Sequence, residues 1–142
     1  MSRTTGKKNK GCDMETAVSY HGIIIDKSQN DKTIFSKLVI KGRKRILMGL
    51  VVLYRIEVEE REIDDVVTSL QKNMSTRFGL KKQQYYAHFY RADELMIVFK
   101  DKIFRVKPDP SSWTEAVKYG LSIGIPPKQL DFIPNRFEDE RY

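Results

Sequence analysis

The chain has 142 residues and a single cysteine, Cys12, which is the size of one domain and excludes both an internal disulfide framework and a cysteine zinc site. A hydrophobic content of 40% excludes a chain that is disordered throughout. No apolar run approaches the roughly 20 residues a membrane-crossing helix needs, so no membrane partner is expected, while the net charge of +7 raises nucleic acid as a partner.

The charge is unevenly spread. Residues 1–12 hold Arg3, Lys7, Lys8 and Lys10 without an acid, and Lys41, Arg43, Lys44 and Arg45 form a second basic cluster. Residues 1–17 are polar and aperiodic, so they read as a basic arm, with Met14 as an internal start, ahead of a single α+β domain over 18–142. Basic residues without an apolar stretch behind them do not make a signal peptide. With the lone cysteine, this fits a cytoplasmic protein.

Tyr20 to Ile25 is apolar and β-branched, and reads as the first strand. Asp26–Asp31 is a polar break. Residues 33–40 fit one or two helical turns capped by Asp31, with Ile34, Phe35 and Leu38 inward, or a strand through Val39 and Ile40. Ile46–Val58 reads as one strand with Val52, Tyr54, Ile56 and Val58 on the better buried face. The spacing of Ile63, Val66, Val67, Leu70 and Met74 predicts a helix from about Glu60 to Met74. Tyr85–Tyr90, Leu95–Phe99 and Ile103–Val106 form a meander. Ser112 and Glu115 have capping-box spacing for a helix ending near Ile123, with Gly124 beyond it. The expected fold is a mainly antiparallel sheet of four to five strands with two main helices on one face, a ferredoxin-like variant being one form of it.

No cofactor motif is present, and no cofactor or metal is expected. Lys41-Gly42-Arg43 lacks the glycine spacing of a phosphate loop. His21, His88 and Asp26 have no metal-ligand spacing, and Ser28, His21 and Asp26 lack a nucleophile elbow. The more informative segment is Tyr85–Arg91. Alternation sets Tyr86, His88 and Tyr90 on one face, where phenol and imidazole groups need polar partners, and Arg91 follows as a further candidate ligand contact.

The blocks 21–26, 86–95 and 124–132 resemble those of small uncharacterised prokaryotic proteins. The resemblance spans about residues 20–140 and implies a stand-alone cytoplasmic protein, with no activity or site to transfer.

The leading reading is a non-catalytic module that binds a small molecule or a protein partner. Second is nucleic-acid binding through Lys41, Arg43, Lys44 and Arg45 together with the Tyr86/His88/Tyr90 face. Third is an enzyme centred on His88, Arg91 and Asp93. Because Leu95–Phe99 is apolar on both sides, a second face needs cover. A homodimer through sheet surface would supply it. The alternative is a monomer in which 33–40 and 125–134 wrap that face around a pocket.

Overall fold

A computed structural model describes residues 19–46, 48–130 and 132. Cys12, Met14, the basic arm and the charged stretch after Asn135 lie outside these described residues.

The sheet is antiparallel and six-stranded. Its strands are β1 (Ser19–Ile25), β2 (Val39–Ile46), β3 (Val51–Glu59), β6 (Tyr86–Arg91), β7 (Glu94–Phe99) and β8 (Ile103–Val106), in spatial order β2-β3-β1-β6-β7-β8. A two-stranded hairpin, β4 (Arg77–Phe78) with β5 (Lys81–Lys82), stands apart from it. The helices are α1 (Ile63–Asn73) and α2 (Thr114–Ser122).

The helices do not share a face. Alternate residues of β7 go to two cores. Met96 and Val98 join Phe89, Ile56 and Ile24 beneath α1, through its Ile63, Val67 and Leu70. Leu95, Ile97 and Phe99 join Trp113, Ala116, Ile125 and Phe132 beneath α2. An all-apolar strand has to be covered on both sides, and two helices on one face would leave half of it wet. Three strands precede α1, so the element order also differs from the β-α-β-β-α-β of a ferredoxin-like unit. The dimer expectation rested on an uncovered second face. In the fold, α2 with Ile125, Leu130 and Phe132 covers the β6-β7-β8 half of that face.

Local signals explain most element ends. The Asp31 carboxylate accepts from the Thr33 amide at 3.0 Å and caps a 3-10 turn over Lys32–Lys37, which buries Phe35 before the chain enters β2. Gly124, at φ +98°, ends α2, with the Ile125 amide returning to the Gly120 carbonyl at 3.0 Å. The Ser112–Glu115 capping box is not formed. The Ser112 hydroxyl closes the preceding loop, accepting from the Lys107 amide at 3.1 Å, while Asp109 caps the 3-10 turn Pro110–Ser112.

The expected single strand over 46–58 is two strands joined by a tight turn. The Gly49 amide bonds the Ile46 carbonyl at 3.1 Å, and Met48 and Gly49 take φ of +58° and +88°. A non-glycine side chain in the left-handed region is strained, and Asn tolerates it better. Met48→Asn is therefore expected to raise the midpoint of thermal unfolding, as calorimetry would show.

Candidate functional site

The face of the sheet under α2 is only half covered. Across β1 and β3 its exposed half carries His21, Ile23 and Ile25 opposite Glu57, Arg55 and Leu53. On β6, His88 stands opposite Ile23 and Tyr90 opposite His21. The chain after α2 turns back along the edge of this half, and the β4–β5 hairpin stands at its end. Between them lies a cavity of about 410 Å³. Its floor is Ile23, Ile25, Val51 and Leu53, and its walls include Tyr86, His88, Phe78 and Ile125. The polar lining is Lys27, Gln83, Gln84 and Gln129, with the hydroxyl-bearing Tyr85 and Tyr86 and the imidazole of His88. An apolar cavity of this size with a few polar groups is the usual form of a small-molecule site.

Of the four sequence candidates, Tyr86 and His88 line this cavity. The Tyr86 hydroxyl donates to the Gln129 carbonyl, and its ring meets Phe132 edge-on at 5.0 Å. That contact ties the wall of the cavity to the segment that closes it. Tyr90 shares the face but lies further along, buried, sharing a 3.3 Å hydrogen bond with His21 Nδ1. Arg91 is on the opposite face, as alternation demands. Its guanidinium lies 4.6 Å from the centre of the Tyr20 ring and pairs with Glu60 at 3.0 Å and Glu94 at 3.1 Å.

The proposed catalytic sets do not assemble. His88 and Arg91 face opposite sides of the sheet, and Asp93 is an exposed turn residue 3.8 Å from Lys107. Ser28 is buried at the far end of β1 from His21, and its hydroxyl donates to the Ile25 carbonyl at 2.6 Å. Asp26 accepts from the Val52 amide at 3.0 Å. His21 and His88 are diagonal neighbours on one face, but Asp26 lies at the other end of β1 from His21.

The basic cluster is not one strip. It forms the outer strand β2, which alternates. Lys41 pairs with Glu57 at 3.3 Å, whereas Arg43 lies 5.5 Å from the centre of the Tyr54 ring, on the α1 side. Lys44 and Arg45 follow on alternate sides of the strand, opposite Leu53 and Val52. Cations along a sheet edge discourage pairing with another strand.

Sequence reasoning missed most of the cavity floor. Its signal was present in the second face of the two central strands, where Ile23, Ile25, Val51 and Leu53 are apolar although Val52, Ile56 and Val58 already supply a core face. The β4–β5 hairpin, which places Phe78, carried no signal strong enough to read.

Two tyrosines titrate abnormally. Burial first, then the Glu94 charge, pushes the Tyr20 phenol above its ordinary value of 10.0, and its hydroxyl donates to Glu94 at 3.1 Å. Burial first, then Asp26, does the same for Tyr85, whose hydroxyl donates to the Arg77 carbonyl at 3.0 Å. For such a group the unfolded chain ionises first as pH rises. The neutral phenol's contribution is thus complete below the ordinary value and is lost as pH climbs through the raised folded value. Tyr20→Phe is expected to flatten the loss of stability above pH 10.0, measured by urea unfolding across the alkaline range.

The chain matches no family model, no curated protein and no solved structure.

Proposed function

We propose that this protein is a small binding module whose ligand is an apolar molecule held in the cavity between the open half of the sheet and residues 125–129. The observation that carries the reading is the cavity itself: an apolar floor on two adjacent strands, with Lys27 the one charged side chain in its described lining. Burial of a ligand's apolar surface there supplies affinity, and Lys27 and the three glutamines supply orientation. Binding is favoured over catalysis because the candidate catalytic sets are dispersed over two faces and both ends of the sheet.

The fluorescent probe anilinonaphthalene sulfonate, apolar with one anionic group, tests the reading. Saturable binding at one site per native chain is expected. Leu53→Trp fills the floor and is expected to weaken it at least about tenfold while thermal unfolding stays cooperative. Absence of saturable binding, or equal binding by the folded variant, would sink the proposal. Light scattering decides what else covers this face. A mass of 16.6 kDa, that of one chain, leaves the cavity open to ligand, whereas twice that mass means a second copy covers the open half.

The nucleic-acid reading keeps the exposed cations of β2 but loses its contiguous surface. Tyr86 and Tyr90 are packed against the fold, and Lys41 and Arg43 engage residues of β3 on different sides.

A further inference from the structure

Tertiary structure sorts the charge. The turns 26–32, 44–50, 71–82 and 100–102 meet at one end of the molecule, where β1, β2, α1 and β7 finish. These segments hold ten Lys or Arg against three Asp, Asp26, Asp31 and Asp101. Among the other described residues cations and acids balance, with Glu57, Glu59, Glu60, Glu62, Asp64 and Asp65 clustered toward the opposite end. The described residues therefore carry their positive charge at one end of the strands and their densest acidic cluster at the other.

The basic end also carries the three most exposed large apolar side chains of the described residues, Met48, Leu80 and Leu50. Met48 is 102% and Leu80 97% exposed, and Leu50 (64%) and Phe78 (37%) stand beside them. The four come from two hairpin turns, β2–β3 and β4–β5, which flank one recess lined by both Leu50 and Phe78 and by Lys27, Lys32 and Arg77. Neither turn needs the apolar residue at its tip. Met48 occupies a left-handed position that favours Asn or Gly, and Leu80 touches almost nothing.

We infer that this end docks on an anionic membrane surface, with Met48, Leu50, Phe78 and Leu80 entering the boundary between headgroups and acyl chains and the surrounding cations lying against lipid phosphates. Aliphatic tips ringed by Lys and Arg match that boundary in both polarity and charge. A nucleic acid would satisfy the cations but would set the protruding aliphatic tips against hydrated phosphates. The absence of a long apolar helix among the described residues concerns crossing a bilayer, not lying on one. The inference does not depend on what the cavity holds.

The test is co-sedimentation of the full chain with phosphatidylcholine vesicles, with and without phosphatidylglycerol. Binding is expected only with the anionic lipid and is expected to fall as salt rises. Met48→Ser with Leu80→Ser leaves every charge in place, including the basic arm, and is expected to weaken vesicle binding at least about tenfold. Lys81→Gln with Lys82→Gln is expected to weaken it by about tenfold or more and to reduce the salt dependence. Leu80→Trp supplies a position-specific signal: its emission should move to shorter wavelength on anionic vesicles, whereas the buried Trp113 should not respond. Equal binding to uncharged vesicles, unchanged affinity of the folded serine pair, or an unresponsive Trp at position 80 would overturn the inference. So would absence of binding to the anionic vesicles, whether or not labelled single-stranded RNA is bound.

Discussion

Alanine at Phe89 is expected to lower the stability of the chain by about 3–5 kcal/mol. Phe89 is fully buried at the centre of the α1-side core, and its ring fills the space over Gly22 on the neighbouring strand. A Cβ built on Gly22 would stand 2.4 Å from that ring and 3.3 Å from the His88 carbonyl. The glycine is thus required by the phenylalanine across from it, with which it is paired in register. Gly22→Ala alone is expected to cost about 1–3 kcal/mol, because the ring has to leave its packed position. The two substitutions together should cost less than their sum, since the smaller residue at 89 makes room for the new methyl. Urea unfolding of the two single variants and the double variant provides the cycle. Strict additivity would show that the contact does not govern packing between β1 and β6.

Trp113→Ala is expected to cost a comparable amount, about 3–5 kcal/mol, on the other face. Trp113 is buried against Phe132, with ring centres 5.4 Å apart, and its indole N–H donates to the Lys107 carbonyl at 2.7 Å. Removal leaves a cavity beneath the start of α2 and takes one donor from the Lys107 carbonyl, which the Ser112 hydroxyl also reaches at 3.0 Å. Trp113→Phe separates these effects. It restores most of the volume but not the donor, so its cost should be nearer 1 kcal/mol. Because Trp113 anchors the layer that continues into Ile125 and Phe132, the alanine variant should also weaken anilinonaphthalene sulfonate binding, even where the fold survives at low temperature. Calorimetry and probe titration of both variants check the pair of effects. A Trp113→Ala protein as stable as the parent would mean that this layer contributes little to the fold.

The α1-side core was legible in the residues themselves. Ile63, Val66, Val67, Leu70 and Met74 repeat at helical spacing and Val52, Tyr54, Ile56 and Val58 alternate on a strand; all are buried except Val66 and Tyr54, which are half-buried. Asp31 before 32–37 and Gly124 after α2 were equally readable, because caps depend on chemistry within a few residues of the chain. The turn at Met48-Gly49 was not, since a methionine in the left-handed region is selected by no local preference. Whether α2 lay beside α1 or across the sheet from it was also beyond the chain's local patterns. A helix stripe states that one side is buried but not against which face. The competition between the two faces of β7, apolar on both sides from Leu95 to Phe99, settled that question.

The same division holds for function. The sequence by itself determined that one face of β6 combines Tyr86, His88 and Tyr90, and that the chain is basic. Only the tertiary structure decided that Tyr86 and His88 border an apolar floor, that Arg91 faces away, and that cations scattered between residues 27 and 102 collect at one end of the sheet. Alternation along a strand is a property of neighbouring residues, whereas a cavity or a charged pole is made by strand ends and turns far apart in the chain. Their convergence follows from strand order and register, which long-range packing selects.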